Sequence, residues 1–243
     1  MKQYLYGKQP VLMRLQREQV SHLYLLEDAP FKEAIGLAKQ KSIPITYCSR
    51  KKLDQMVKGN HQGVVAEIDA YQTVEVEDIL NAIPQDTQGL IIMVDGVSDP
   101  HNLGAIMRTA DAVGAHGIII KKHNAVGLTG VVAKVSAGAI EHIKVAVVTN
   151  LTNTANLLKD QGYWIIGTDM TNATHYRDVD YTIKTVIVVG SEGEGISRLL
   201  KQQCDHMVYL PMVGTVSSLN VSVATAVLLY EVLHQRQVQF IVR

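Results

Sequence analysis

The sequence contains few of the features on which disulfide-linked, metal-binding or membrane-spanning proteins depend. Only two of its 243 residues are cysteines, Cys48 and Cys204, and they stand far apart in no metal-binding spacing. A disulfide framework or a structural zinc site is therefore not expected, and a reducing cytoplasm fits. No apolar run approaches the ~20 residues that span a bilayer, and the opening MKQYLYGKQP lacks the apolar core of a signal peptide. We expect a cytoplasmic protein without membrane association.

The motifs of several enzyme classes are missing as well. The sequence has no His-Glu-x-x-His metal site, no Gly-x-Ser-x-Gly nucleophile turn and no Gly-Lys-Ser/Thr phosphate loop. Its nine histidines do not cluster, so no metal site is predicted. A Gly-x-Gly-x-x-Gly turn is also absent, which disfavours a nicotinamide-dependent oxidoreductase.

Neither sign of charge dominates, because 23 Lys and Arg balance 23 Asp and Glu. The balance is uneven along the chain: residues 1–70 carry eleven basic and seven acidic side chains, and residues 71–243 carry twelve and sixteen. The basic excess includes the run Arg50, Lys51 and Lys52. Such a run is typical either of a nucleic-acid contact or of a solvated loop.

The hydrophobic pattern divides the chain into two parts. Residues 1–72 predict a small α/β domain, with helices near residues 10–19 and 31–40 and strands at 22–26, 44–47 and 63–68. Residues 73–88 are polar and acidic, and we interpret them as a linker. In residues 89–243, short Val- and Ile-rich runs alternate with helical stretches, which predicts an α/β domain with a mostly parallel sheet and helices on both faces. The predicted strands lie at 90–95, 117–120, 144–148, 163–167, 185–190 and 207–211, and the predicted helices at 103–114, 130–140, 151–161, 195–202 and 219–236.

The last predicted helix is apolar almost all round. Between residues 219 and 233 its only charged side chain is Glu231, so more than one of its faces has to be covered. A second subunit is the simplest cover, which predicts a homodimer. Complete burial within one chain is the alternative.

Ligands of open parallel sheets bind beyond the carboxyl ends of the strands, and three loops there carry unusual residues. The first, residues 95–104, opens a helix from which Arg108 can reach back toward Asn102. The alternative is that Asn102 is a helix N-cap and Arg108 pairs with Asp111 on the surface. The second loop, residues 190–195, has three glycines, which suit either close approach to a ligand or a tight turn. The third, residues 210–220, contains three residues of N-cap type, Ser217, Ser218 and Asn220.

Together, VDGVSDPHNLGAIMRTADAVGAHGII, VIVVGSEGEGIS and LPMVGTVSSLNVSVATAVLLYE closely resemble, in order and spacing, motifs one, two and three of the SpoU/TrmH branch of the SPOUT RNA methyltransferases. YGKQPVLMRL and NHQGVVAEI resemble the family's substrate-binding domain, which is similar to a small ribosomal-protein fold. The resemblance implies a homodimer and a deep trefoil knot near the C-terminus of the catalytic domain, a rare exception to ordinary chain topology.

The same resemblance implies the reaction and its cofactor. S-adenosylmethionine would donate a methyl group to the ribose 2′-hydroxyl of a guanosine in the peptidyl-transferase loop of 23S ribosomal RNA, with no metal ion. The alternatives are a guanosine of transfer RNA as the substrate and a catalytically inactive RNA-binding homologue. The residues implied to contact the cofactor, mostly through backbone groups, are Gly190, Leu210, Leu219, Gly193 and Thr168.

The residues implied in catalysis centre on Arg108. Its planar fork of donors suits an RNA phosphate beside the target ribose, and a guanidinium holds its proton too firmly to act readily as a base. We therefore expect Arg108 to position the phosphate and the 2′-oxygen. The residues expected to hold the loops and the ribose around it are Asn102, Glu192, Ser218 and Asn220.

The first domain supplies the predicted RNA contacts. These are His61, Gln62, Arg50, Lys51 and Lys52. Because this domain has few aromatic residues, we expect contacts with the backbone and shape of the RNA to matter more than base stacking.

Overall fold

A computed structural model of the chain describes residues 2–27, 31–123, 125–170, 172–191 and 193–241. The chain forms two compact units. The first contains Met1–Gln72 and Leu128–Glu141, and the second contains Thr73–Gly127 and His142–Arg243.

The described strands and helices are numbered in chain order. The strands are β1 (Lys2–Tyr6), β2 (His22–Leu26), β3 (Ile45–Cys48), β4 (Val64–Asp69), β5 (Leu90–Asp95), β6 (Gly117–Lys121), β7 (Lys144–Val148), β8 (Trp164–Thr168), β9 (Thr174–His175), β10 (Thr185–Gly190) and β11 (His206–Tyr209). The helices are α1 (Lys8–Gln16), α2 (Lys32–Gln40), α3 (Arg50–Met56), α4 (Val76–Asn81), α5 (Pro100–Ala112), α6 (Gly130–Val135), α7 (Leu151–Asp160), α8 (Arg198–Lys201) and α9 (Val221–Ile241). Short 3₁₀ helices span Ala139–Glu141 and Tyr176–Asp178.

The first unit is built on a mixed sheet with the strand order β1-β4-β2-β3. Strand β4 is antiparallel to β1 and β2, and β2 is parallel to β3. Because side chains alternate along a strand, Leu5, Leu23 and Leu25 share one face, and all three are fully buried. On the other face, Tyr6 and Val65 pack with α3 and with Val131 of α6.

The segment Leu128–Glu141 belongs to the first unit because its side chains complete that unit's core. Arg14 Nε donates to Glu141 Oε1 at 2.7 Å, and both side chains are buried. Gly130 lies so close to β1 that an added Cβ would stand 2.5 Å from the carbonyl oxygen of Tyr4. The predicted catalytic domain, residues 89–243, is therefore not continuous in its contacts. Contacts between residues more than 100 positions apart, such as Arg14 and Glu141, do not affect the local hydrophobic period and cannot be predicted from it.

The predicted linker, residues 73–88, is also more ordered than its composition indicates. It contains α4, and Ile79 of this helix is fully buried in the core of the second unit. Val74 forms a parallel bridge with Ala146 of β7. The helix was missed in the sequence because its apolar stripe is only two turns long, which is too short for a clear helical period.

The second unit contains a parallel sheet with the strand order β7-β6-β5-β10-β8-β11-β9, and all pairings between these strands are parallel. Every residue of β5 and β10 is buried, as expected for central strands covered on both faces. The predicted α/β class and mostly parallel sheet are confirmed. The short strand β9 was not predicted, and neither were β1, α3 and α4.

Between β5 and β10 the order of the strands reverses, so that the strands following β5 in the chain lie on one side of it and the later strands lie on the other. From β5 the chain continues to β6 and β7 on one side, whereas β10, β8, β11 and β9 lie on the other. A crevice forms beyond the carboxyl ends of strands at such a switch point, and ligands of open α/β sheets bind there. The fold thus places its binding crevice beside Asp95 and Gly190.

One arginine attaches the C-terminal helix to the segments that precede β5 and β10. The Arg236 guanidinium donates to the carbonyl oxygens of Tyr181 at 2.9 Å, Gln88 at 2.8 Å, Gly89 at 3.3 Å and Ile183 at 2.8 Å. Burial lowers the pKa of Arg236. One side chain thereby satisfies carbonyl groups from two separate segments.

Replacing Arg236 with methionine should lower the free energy of unfolding by about 3 kcal/mol, because several carbonyl acceptors lose a charged donor. Urea denaturation followed by circular dichroism measures the change. The matched control is Arg177→Met, since Arg177 is exposed and forms an ion pair with Glu231 at 3.7 Å. Such a surface pair contributes at most about 1 kcal/mol. Equal losses of stability for both variants would contradict the proposed attachment.

A half-buried histidine makes stability depend on pH in the second unit. The backbone N–H of Leu90 donates to Nδ1 of His116 at 3.0 Å, which requires that nitrogen to be unprotonated. Burial lowers the pKa of His116 below its usual 6.5. The unfolded chain therefore takes up this proton first when the pH falls.

Stability contributed by His116 should be complete above the unfolded-state pKa of about 6.5. It should decline as the pH falls from there toward the lower folded-state pKa, by at most about 1.4 kcal/mol per pH unit. His116→Asn keeps an acceptor for Leu90 but cannot titrate, so its urea midpoint should fall less between about pH 7.5 and about pH 5.5. The exposed His234 provides the control variant His234→Asn. Its urea midpoint should fall between these two pH values as much as that of the wild type. If the urea midpoint of His116→Asn falls as much as that of the wild type, His116 is not the source of the pH dependence.

Candidate active site

The register of the parallel sheet brings the ends of separate strands to one edge. Asp95 of β5 lies directly opposite Gly190 of β10. Gly167 of β8 lies opposite Val188, and Thr168 lies opposite Val208 of β11. The loops that follow β5, β8, β10 and β11 therefore start side by side.

The first loop ends in a capped helix. The Asp99 carboxylate accepts the backbone N–H of His101 at 2.8 Å, and Pro100 occupies the first helical position, where its missing N–H costs nothing. The interpretation of Asn102 as the N-cap is therefore wrong. Asn102 is buried inside the first turn of α5, with its Oδ1 facing another loop.

A hydrogen bond between two asparagines joins the first loop to the third. Asn220 Nδ2 donates to Asn102 Oδ1 at 2.9 Å. The other end of the Asn220 amide caps α9, where Oδ1 accepts the backbone N–H of Ser222 at 3.0 Å and its hydroxyl at 2.6 Å. Because both ends of the amide are engaged, Asn220 fixes the start of α9 against the start of α5, and these two helices pack together.

The second loop is a tight turn that only glycine permits at its first position. Ser191 and Gly195 exchange two backbone hydrogen bonds, at 3.1 and 3.0 Å. A Cβ on Gly190 would lie 2.0 Å from the carbonyl carbon of Gly195. Gly193 has a φ of +96°, which disfavours residues with a side chain. Asp95 Oδ2 anchors the far end of the turn by accepting the backbone N–H of Ser197 at 2.8 Å.

The segments that follow β8, β10 and β11 line a cavity of about 840 Å³. Every residue that the sequence resemblance assigned to the cofactor lines it: Gly190, Leu210, Leu219, Gly193 and Thr168. Ser218 and Asn220 line it as well. The structure therefore brings to one cavity residues that are as far apart in the sequence as Thr168 and Asn220.

The remaining residues predicted to act in catalysis lie differently. Asn102 does not line the cavity, but it accepts a hydrogen bond from Asn220, which does. Arg108 is exposed on α5 and is not among the residues that line the cavity. Among the ion pairs of the described residues, none joins Arg108 to Asp111. Glu192 lies outside the described residues.

Sequence reasoning missed several charged groups of the cavity. Asp169 follows β8 directly and forms an ion pair with Lys201 of α8, and both line the cavity together with Glu194. The backbone N–H of Met170 donates to Asp169 Oδ1 at 2.7 Å. Its place in the sequence could have identified Asp169 as a candidate site residue, because it comes immediately after the carboxyl end of a buried strand.

The predicted RNA contacts separate into two groups. Arg50, Lys51 and Lys52 are exposed at the start of α3. His61, in contrast, is buried: its Nε2 lies 3.0 Å from Asp54 Oδ1, and its Nδ1 accepts the backbone N–H of Gly63 at 2.9 Å. Gln62 is exposed, and its Oε1 accepts the backbone N–H of Lys8 at 2.9 Å. These bonds give His61 and Gln62 structural roles beside β4.

Three further properties concern the part of the chain that the structure describes. Within the described ranges, no group of three or more His, Cys, Asp or Glu side chains is placed to hold a metal ion. Of the helices the structure describes, none combines the length and the apolar character that crossing a membrane requires. Both cysteines are free thiols, and burial raises the pKa of Cys204 to about 12.

The fold and the three loops define an RNA methyltransferase of the SpoU class. Residues 89–230 match the model of the SpoU rRNA Methylase family, and residues 4–74 match the model for RNA 2′-O ribose methyltransferase substrate binding. The chain belongs to the SpoU rRNA Methylase family, so the predicted membership is confirmed.

Individual relatives agree with this assignment. The chain is 48% identical over 238 residues to YacO of Bacillus subtilis (strain 168), assigned to the TrmH family of tRNA/rRNA methyltransferases, with 96% of each protein covered. It is 45% identical over 206 residues to a TrmH family tRNA/rRNA methyltransferase of Staphylococcus aureus (strain COL), covering 84% of this chain and 83% of the relative. The structure is similar to the SpoU methyltransferase AviRb from Streptomyces viridochromogenes in complex with the cofactor AdoMet, with a TM-score of 0.82, 25% identity and coverage of 97% and 90%.

Proposed function

We propose that this protein transfers a methyl group from S-adenosylmethionine to a ribose 2′-hydroxyl of RNA. The observation that carries the proposal is that the segments after β8, β10 and β11 line one cavity, and that all five residues assigned to the cofactor lie in its wall. The structural relative AviRb supports it, because that protein was crystallised with AdoMet. The match of residues 4–74 to an RNA substrate-binding family supports RNA as the methyl acceptor.

The chemistry of the cavity fits this cofactor. Val208, Leu210 and Leu219 provide apolar contact for an adenine ring, and Gly190 lets backbone groups approach closely. The carboxylates of Asp169 and Glu194 suit the positive charge and hydroxyl groups of S-adenosylmethionine. A cavity of about 840 Å³ lies within the range of small-molecule sites.

The protein's contribution to the reaction is alignment. When bound, S-adenosylmethionine would supply an electrophilic methyl group; its transfer to the 2′-oxygen would break the methyl–sulfur bond, leave a neutral thioether and release the hydroxyl proton to water. The hydrogen bond between Asn102 and Asn220 joins the first loop to the third, and such positioning would lower the entropic part of the barrier. Arg108, exposed on α5 beyond the first loop, would hold the RNA phosphate and the 2′-oxygen. Ser218 and Glu192, assigned from their motifs, would complete the enclosure of the reacting groups.

As the particular substrate we propose a guanosine in the peptidyl-transferase loop of 23S ribosomal RNA. The support is that the chain combines a substrate-binding domain with the methylase domain. A guanosine of transfer RNA is the second candidate, since the relatives are described as tRNA/rRNA methyltransferases. The free thiols fit a reducing cytoplasm, and the trefoil knot remains a prediction for the chain after residue 162.

Two measurements test the proposal. In calorimetry, S-adenosylmethionine should bind and NAD should not. With a labelled methyl donor, the protein should label ribosomal RNA in preference to transfer RNA from cells lacking the enzyme, and mapping should place the label at a guanosine 2′-oxygen. Preferential labelling of transfer RNA would replace the substrate proposal, and failure to bind S-adenosylmethionine would remove the function itself.

We also propose that the protein is a homodimer. The helix α9 carries an exposed apolar stripe formed by Val223, Val227 and Tyr230, which are 36–54% exposed in the single chain. The buried side of the same helix contains Leu228 and Val232. Complete burial of α9 within one chain is therefore wrong. A stripe of this kind at helical spacing is a suitable dimer contact.

Light scattering should give the mass of a dimer for the wild type and of a monomer for Val223→Glu/Tyr230→Glu. The matched control is Leu199→Glu, because Leu199 is 58% exposed but lies on α8. It should leave the dimer intact. A monomeric wild type at micromolar concentration would contradict the proposal.

A further inference from the structure

The sheet of the first unit carries a cluster of rings on one face. Tyr4 of β1 and His22 of β2 both lie opposite Glu67 of β4, so their side chains share a face. Tyr24 lies on the same face, because it is two residues from His22. His22 and Tyr24 are stacked with centroids 4.4 Å apart, and Tyr4 meets Tyr24 edge-on at 6.3 Å. We call Tyr4, His22 and Tyr24 the ring platform.

The ring platform is the more open half of its face, and Tyr24 forms its border with the buried cluster around Tyr6 and Val65. The other half is closed by α3 and α6, where Leu53 and Val131 pack on Tyr6 and Val65. Tyr4 is 41% exposed, and His22 and Tyr24 are partly exposed. Aromatic side chains usually bury most of their surface because they carry a large hydrophobic area, so a cluster of rings that is left partly exposed indicates a binding surface.

Charged groups of both signs belong to the strands that carry the ring platform or to the helix that follows the neighbouring strand. Helix α3 follows β3 directly and presents Arg50, Lys51 and Lys52 to solvent. Glu67 lies opposite both Tyr4 and His22 on this face, and burial together with its carboxylate raises the pKa of Tyr24. A carboxylate repels phosphate but accepts hydrogen bonds from amino groups of bases. The rings thus suit bases, and the start of α3 suits the phosphates between them.

We propose that the ring platform stacks unpaired bases of the RNA substrate while Arg50, Lys51 and Lys52 bind the adjoining phosphates. Single-stranded RNA is the occupant because its bases offer free faces for stacking, whereas the bases of a duplex do not. The inference rests on the proposed RNA substrate and adds how the first unit binds it. It differs from the expectation of backbone and shape contacts, because folding gathers rings that are scattered in the sequence.

The test is binding of a short, unstructured, fluorescein-labelled RNA oligonucleotide to the full chain, followed by fluorescence anisotropy. Tyr24→Leu and Tyr4→Leu should each raise the Kd about 5- to 150-fold, the effect of removing one stacked base. The matched control is Tyr47→Leu. Tyr47 is on the same sheet and 50% exposed, but it lies opposite Leu25 and thus on the other face. It should leave the Kd unchanged.

Salt dependence separates the rings from the cations. Each phosphate that the protein no longer neutralises should reduce the slope of log K against log salt by about 0.7. Arg50→Gln/Lys51→Gln/Lys52→Gln should therefore flatten the slope, whereas Tyr24→Leu should weaken binding without changing it. Tyr24→Phe keeps the ring and removes only the hydroxyl, so it should bind nearly as the wild type does.

Equal affinity of Tyr4→Leu, Tyr24→Leu and wild type would overturn the proposal, and so would equal binding of the oligonucleotide and its duplex. If Tyr24→Leu fails to fold, photocrosslinking of the wild type to 5-bromouridine RNA tests the proposal instead. Crosslinks should fall on the peptides that contain Tyr4 or Tyr24. Crosslinks that fall only on other peptides would refute the proposal. Calorimetry with S-adenosylmethionine is independent of this surface. A failure there removes the methyltransferase proposal, whereas unaltered RNA binding by the ring variants removes only the ring platform.

Discussion

Arg108→Lys should lower the rate of methyl transfer by about 100-fold while leaving the affinity for S-adenosylmethionine unchanged. Lysine keeps the positive charge but lacks the planar fork that holds a phosphate and a neighbouring oxygen together. Misplacement of a reacting group by about 1 Å is sufficient for a reduction of this size. Cofactor affinity should persist because Arg108 does not line the cavity.

Single-turnover rates with saturating RNA and calorimetry with the cofactor measure the two quantities separately. Arg177→Lys is the matched control, since Arg177 is an exposed arginine of the same unit on a different segment. It should retain the wild-type rate. A near-normal rate for Arg108→Lys, with the wild-type dependence on pH, would show that the fork has no special role.

Gly190→Ala should abolish detectable binding of S-adenosylmethionine, a reduction of at least about 100-fold in affinity. The added Cβ would stand 2.0 Å from the Gly195 carbonyl carbon and 2.3 Å from the backbone nitrogen of Ile196. Because the three nearest atoms are all backbone atoms, no flexible side chain can move aside, and the turn has to open. Opening displaces Ser191, Gly193 and Gly195 from the cavity wall.

The matched control for this substitution is Gly214→Ala. Gly214 belongs to the third loop, yet a Cβ there would meet no atom within 4 Å. Affinity for the cofactor should stay within a few fold of the wild type. Thermal melting of both variants distinguishes a local opening of the turn from global unfolding. Tight cofactor binding by a folded Gly190→Ala protein would refute the placement of the cofactor beside this turn.

Local sequence was most informative where one pattern persists over a whole element. The buried runs at β5 and β10 contain only residues that suit a strand covered on both faces, and both strands have the predicted bounds, Leu90–Asp95 and Thr185–Gly190. Elements were missed where the pattern is short. The helix α3 has one buried side chain, Leu53, among seven residues, which leaves no stripe to detect.

Some residues of the candidate site were identified from the sequence, and others became visible only in the folded structure. Gly190, Gly193 and Leu210 were identified as cofactor residues from motif resemblance, and they line one cavity. The capping residue of α5 was assigned incorrectly, because Asp99 and Asn102 are both good N-cap types and local sequence does not rank them. Asp169 and Lys201 were not found, since a pair 32 positions apart in sequence is visible only after folding.

By itself, the sequence determined the α/β class, the parallel character of the main sheet and membership of the SpoU family. These follow from side-chain size, apolar period and local motifs, which act over a few neighbouring residues. Only the tertiary structure decided that residues 128–141 complete the first unit, that Asn220 reaches Asn102, and that Tyr4, His22 and Tyr24 meet on one open face. Strand register produces these contacts, and register depends on the packing of the whole sheet against its helices.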